Sequence, residues 1–137
     1  MQMRVLHLLH RLHLEPTRTP ASNLVFVRSA RATGLEDRLF DLEELCWPFH
    51  QNVIEQLGVR VVLCFGKDCG QIVCEKLQAK VPVDQFVEAN NRRWSTTAFT
   101  NSGKLAVVVA THPSIADWTS PATDPSPLVE RVIAGIK

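Results

Sequence analysis

Apolar and polar positions alternate between two kinds of segment, short unbroken apolar runs and longer stretches with helical spacing. The clearest run is residues 105–110, LAVVVA, too short for a typical helix and rich in residues that suit a strand buried on both faces. It leads into His112-Pro113-Ser114. Pro113 has no backbone N–H for a ladder and biases His112 away from helical dihedrals, so a central strand over residues 104–111 ends there. His112 and Ser114 then stand at its carboxyl edge, where open α/β sheets place ligands. Residues 59–65, VRVVLCF, form a second such run, and Gly66 after it lets the chain turn into a helix over about 68–79.

The other segments follow by the same reasoning. Residues 3–14 place Val5, Leu8, Leu9 and Leu12 on one stripe of an amphipathic helix, with arginines and histidines on a solvated polar face. Two prolines make residues 15–22 a connector. Residues 23–28 read as a short strand opening at Asn23, and 28–34 as a loop. Asp41 and Glu44 form a capping-box start for a helix that keeps apolar spacing to Leu57 and ends at Gly58; Pro48 should kink it or restart it at Trp47. Residues 80–93 lack a sustained period and read as loop with one short helical turn. Residues 94–99 form a half-buried strand, joined by Asn101-Ser102-Gly103 in a hairpin to the central strand. A proline-rich passage over 119–127 leads to a closing helix at 128–136, capped by Ser126 with Pro127 at its first position. Strand-like runs separated by helical stretches predict one α/β domain over residues 1–137, a three-layer αβα arrangement with a mainly parallel central sheet.

Composition narrows the function classes. With 137 residues, 45% of them hydrophobic, the chain suffices for one domain with a real core and does not suit a disordered or fibrous protein. Fifteen basic against fourteen acidic residues supply no global field for nucleic acid, so any such affinity needs a local patch. The basic pair Arg92-Arg93 beside Trp94 is one candidate for touching a phosphate backbone, though such a cluster is more often ordinary surface. Cysteines 46, 64, 69 and 74 contain no Cys-x-x-Cys pair, which favours reduced thiols and a cytoplasmic setting over disulfides or zinc. His7, His10 and His13 have helical spacing but no neighbouring carboxylate or thiolate to complete a metal site. No apolar run reaches membrane-spanning length. Gly66-Lys67 lacks the spacing and the Ser/Thr of a phosphate loop.

Three segments together resemble one family. A strand running into His112-Pro113-Ser114, the segment Asn23 to Ser29 (NLVFVRS), and ELCWPF at 44–49 followed by VRVVLCFG at 59–66 are similar, in order and rough spacing, to motifs of the uracil-DNA glycosylase superfamily. The resemblance implies DNA as partner and hydrolysis of the N-glycosidic bond of uracil or a related damaged base. It implies that Asn23 reads the base edge, that His112 stabilises the departing base, that Ser114 holds a DNA phosphate, and that Ile115 is the wedge candidate that enters the duplex, Ala116 being too small. Cys46 falls where one branch of the family has an iron–sulfur ligand, but Val27 stands where another would be, so no cluster and no other cofactor or metal is expected. The family's water-positioning, glycine-rich motif precedes the asparagine strand; here only a helix and a proline linker do, so an amino-terminally truncated domain with weak or no turnover is expected. One sheet edge should then be exposed and apolar, inviting self-association. Two readings compete with the enzyme: a relative that binds DNA without turnover, and an unrelated α/β domain in which His112 merely closes a strand.

Overall fold

A computed structural model of the chain describes residues 1–27, 37–102 and 104–136. They form two compact units, one of residues 1–19 and 60–137, the other of residues 20–59.

The larger unit is an α/β structure built on strands β1 (Val61–Phe65), β2 (Val81–Val87), β3 (Ser95–Thr100) and β4 (Ala106–Ala110), in the order β1-β4-β3-β2. Strands β1 and β4 are neighbouring and parallel, with Val61 opposite Ala106 and Phe65 opposite Ala110. β4 pairs antiparallel with β3, and β3 antiparallel with β2. The mainly parallel three-layer sheet expected from the sequence is therefore corrected to a mixed sheet with a single parallel pair. The physical reason is connection length. Residues 88–94 and 101–105 are too short for a crossover, so they can join only antiparallel neighbours, whereas the chain between β1 and β4 is long enough to return in the same direction.

Strand β2 lies in the stretch read as loop. Its pairing slips between Pro82 and Asp84, a bulge that breaks the alternation a strand would show, and proline is tolerated because β2 is an edge. The hairpin of β3 and β4 forms as expected; Gly103 of its turn lies outside the described residues.

Alternate residues of β4 serve different neighbours. Ala106, Val108 and Ala110 join Ala98, Leu8 of helix α1 (Gln2–Arg11), Trp118, and Leu128, Val129 and Val132 of helix α4 (Ser126–Gly135) in the buried core. On the opposite face Val109 meets helix α3 (Lys67–Lys76) so closely that a Cβ on Gly70 would stand 2.3 Å from its Cγ1. Only a residue without a side chain permits that approach.

The polar side of α1 is only in part the solvated face its spacing suggested: His10, Arg11 and His13 are exposed, but three of its side chains reach partners across the unit. Arg4 donates to the carbonyl of Pro113 at 2.6 Å, His7 Nε2 donates to Asp124 at 3.0 Å, and Arg11 stands 3.8 Å from Glu130. Each partner lies more than a hundred residues away, beyond the reach of local periodicity. The closing helix begins at Ser126, whose N–H and hydroxyl both go to the Asp124 carboxylate, so Asp124 rather than Ser126 satisfies that end.

In the smaller unit, helix α2 (Leu39–Gln56) continues through Pro48 and does not restart at Trp47. It begins two residues before Asp41, and no side-chain cap bond is made, so the anticipated capping box does not form at that position. Gly58 does end it, with Val59 N–H returning to the Ile54 carbonyl at 2.9 Å. Residues 23–27 are not a strand; the remainder of that element, Arg28, lies outside the described residues, as does the loop expected over 28–34. Instead Phe26 packs edge-on against Phe49 at 5.2 Å, and His50 Nε2 donates to the Leu24 carbonyl at 2.9 Å. The apolar run satisfies itself on α2 rather than in a ladder.

Candidate functional site

The carboxyl ends of the parallel pair meet at two residues. Gly66 follows β1 with φ of 99°, donates its N–H to the Ala110 carbonyl at 2.8 Å and opens α3. His112 follows β4 after Thr111, and its Cβ and Cδ2 lie 3.8 Å from where a Gly66 side chain would begin. The left-handed turn at Gly66 thus brings the start of α3 beside the imidazole.

The loop that carries His112 is fixed from several directions. Ile115 and Ala116 return their N–H groups to the His112 carbonyl at 3.0 and 3.1 Å, making a helical turn. Trp118, fully buried, donates from Nε1 to the Thr111 carbonyl at 3.2 Å and packs edge-on against Phe65. Arg4 holds the Pro113 carbonyl from α1. Phe65 also meets the His112 ring edge-on at 6.3 Å.

Within the loop the chemistry is directional. The backbone N–H of Ser114 points at His112 Nδ1 at 3.1 Å, and the Ser114 hydroxyl lies 2.7 Å from the same nitrogen. A backbone N–H can only donate, so Nδ1 is the acceptor, and in the neutral ring the proton resides on Nε2. The imidazole therefore offers a hydrogen-bond donor from its far nitrogen. It borders a cavity of about 790 Å³ lined by α3, β3 and the end of β4, within the size range of small-ligand clefts. Thr97, Phe99 and Val109 supply its floor, and Lys67, Lys80 and Arg93 its positive charge.

The other sequence-picked residues fall as follows. Ser114 is exposed, but both its donors are directed to His112, so holding a phosphate requires its hydroxyl to turn away. Ile115 is 54% exposed at the tip of the loop, whereas Ala116 is buried. Asn23 belongs to the smaller unit, where it is exposed and its side chain makes no hydrogen bond among the described residues.

Family models, curated proteins and solved structures give no match to this chain. The chemistry of the site rests on its own residues.

Two nearby carboxylates are engaged elsewhere. Asp117 accepts from the N–H and hydroxyl of Thr119, which with Arg4 nearby holds its carboxyl below the usual range. Burial pushes the Asp124 carboxyl up, but hydrogen bonds from Ser126 and His7 together outweigh this and leave it below its usual value. The Cys64 thiol is kept protonated by its hydrogen bond with Cys69 and by burial, and burial also raises Cys74. All four cysteines are free thiols, and no group of three metal-binding side chains occurs among the described residues. No helix among them is long and apolar enough to cross a membrane.

Sequence reasoning missed Arg4, Trp118 and His50 as positioning residues. Arg4 and Trp118 act on carbonyls of the His112 loop, which no motif marks; His50 acts only within the smaller unit.

Proposed function

We propose that the chain acts on DNA as a uracil-DNA glycosylase-like protein, directed at the N-glycosidic bond of uracil or a related damaged base. One observation carries the reading: the His112 ring, oriented by Ser114 so that Nε2–H is the free donor, stands at the carboxyl end of β4 beside a cavity. A base must leave the stack to be cut out, and as the bond from C1′ to the base nitrogen breaks, its electron pair passes into the base and onto the carbonyl oxygen. A neutral imidazole N–H aimed at that oxygen stabilises the anion without first giving up a proton, and such donors contribute about 10²–10³ in rate. Asn23, with a donor and an acceptor on one amide, has the groups to read an imide edge. Ile115, exposed at the loop tip, is the wedge that fills the vacated position. DNA is the partner in this reading, and of the mainly parallel sheet that the resemblance implies the chain has only the pair β1 and β4.

The other product, the free sugar C1′, must be taken by water, and the water must lose a proton. Asp117 and Asp124 are committed to Thr119, Ser126 and His7. That commitment favours a second reading, a relative that binds DNA without appreciable turnover. Wild type and His112→Ala incubated with uracil-containing single- and double-stranded oligonucleotides, with abasic sites scored beside a thermal melt, separate the two. Weak excision abolished in the variant at unchanged melting temperature supports the enzyme. Uracil-dependent binding without excision supports the binding relative. A lowered melting temperature with no effect on DNA makes His112 a structural residue and removes both.

A further inference from the structure

The connection between β2 and β3 is as firmly built as the His112 loop. Asn90 Oδ1 accepts the N–H groups of Arg92 and Arg93, each at 3.0 Å, while its Nδ2 donates to the buried Glu88 at 2.8 Å. Arg93 is thereby set in the left-handed region at φ of 50°. Glu88 N–H closes the loop on the Trp94 carbonyl at 2.8 Å, and Ala89 N–H ties it to the Ala122 carbonyl at 2.9 Å. From this loop Arg92 reaches the Ile115 carbonyl at 3.4 Å, and its guanidinium lies 4.7 Å from the centre of the Trp94 ring.

Trp94 is thus held by a cation over one face while remaining 37% exposed, and it lines the same cavity as His112. An aromatic ring already fixed in place loses little freedom when a ligand stacks on it. The charge around it is one-sided. Lys67, Lys80 and Arg93 line the cavity against the single carboxylate of Glu75, and none of the three has a carboxylate partner among the described residues. An exposed indole beside unpaired cations is complementary to a flexible polyanion whose units each carry a π-face. A duplex keeps its base faces stacked inside; a single strand offers them.

We propose that Trp94, backed by Arg92, is a nucleobase-stacking platform for single-stranded DNA, with Arg93 taking the adjacent phosphate. The stacked nucleotide neighbours the one offered to His112, and in that placement the inference rests on the glycosylase reading; the platform itself needs only DNA and no uracil.

The test uses the full chain and a fluorescein-labelled oligothymidine without uracil, followed by anisotropy. Trp94→Ala is expected to weaken binding about 5- to 150-fold, the range of one lost base stack. Trp94→Phe should restore most of it, and Arg18→Ala, which removes one positive charge from the exposed turn at residues 16–18, should leave it within about twofold. Tryptophan emission of the wild type should quench on titration and the quench should vanish in Trp94→Phe, a readout that stands even if Trp94→Ala is poorly folded. Binding by Trp94→Ala within about twofold of wild type, a preference for the matching duplex, or no binding by wild type overturns the platform. Because excision is scored separately on uracil substrates, Trp94-dependent binding without excision removes turnover alone. Excision with Trp94-independent binding removes the platform alone.

Discussion

Arg4 Nη1 donates to the carbonyl oxygen of Pro113 at 2.6 Å, joining the first helix to the loop that carries the candidate site across 109 residues of sequence. The same guanidinium stands 3.6 Å from Asp117. A cation on a partly buried carbonyl fixes the loop where the backbone has no ladder partner, so the amino-terminal helix is part of the site's scaffold.

Arg4→Met keeps the aliphatic stem and removes the donor. Stability should fall by about 1–2 kcal/mol, and amide exchange at residues 114–116 should rise more than in β4. Unchanged exchange in that loop would mean that its remaining contacts, Trp118 and Arg92 among them, suffice to hold it.

Gly70→Ala forces a methyl against Val109, where 2.3 Å is available. Either α3 moves off the sheet or Val109 leaves its rotamer, at a cost of about 1–3 kcal/mol. The double variant Gly70→Ala with Val109→Ala should recover part of the lost melting temperature. An absence of recovery would place the strain elsewhere in α3.

Asp124 links pH to the attachment of α1 and α4. Its carboxyl is held below the ordinary value, so its stabilising effect is complete above the unfolded carboxylate pKa of about 4 and is lost as pH falls through the depressed folded value. Wild type should therefore melt above Asp124→Asn at pH 7, and the gap should close on acidification below about pH 4. A gap that persists unchanged at the acid end would show that the carboxylate charge contributes nothing.

Much of the sheet was legible because residues 61–65 and 106–110 combine strand length with unbroken apolar character, and their parallel pairing follows from the long connection between them. The strand β2 was not, since the bulge at Pro82 erases its period. The segment at Asn23 was misread for the opposite reason. Leu24 to Val27 has strand composition, but Phe26 finds Phe49 and His50 on α2, a contact that no short window of sequence contains. Helix ends were legible at Gly58 and not at His13, which takes φ of 55° to let Leu14 N–H return to the Leu9 carbonyl at 2.9 Å. Of the site, His112 and its loop could be picked from the break at Pro113, whereas the orientation of its ring depends on a turn that only the fold displays.

Since a left-handed backbone is costly for a β-carbon-bearing residue, His13→Gly should raise stability by up to about 1 kcal/mol. A urea melt with unchanged slope and a higher midpoint is the expected result. A lower midpoint would mean that the histidine side chain contributes packing that outweighs the backbone strain.

The last expectation concerns which atom of Ser114 matters. If its backbone N–H sets the His112 tautomer, Ser114→Ala leaves Nδ1 with that donor, and side-chain nitrogen spectra of the neutral ring should show an unprotonated Nδ1 and a protonated Nε2 in both proteins. Any change in DNA handling should then fall on binding, through a lost hydroxyl, rather than on a chemical step. If instead the hydroxyl is what orients the ring, Ser114→Ala should produce a tautomer mixture, and excision by the wild type, where measurable, should drop in kcat with KM little changed. The spectra decide this without any turnover. A protonated Nδ1 in the neutral wild-type ring would overturn the geometry on which the proposed role of His112 stands, because its far nitrogen would then accept a hydrogen bond and could not donate one to a departing base.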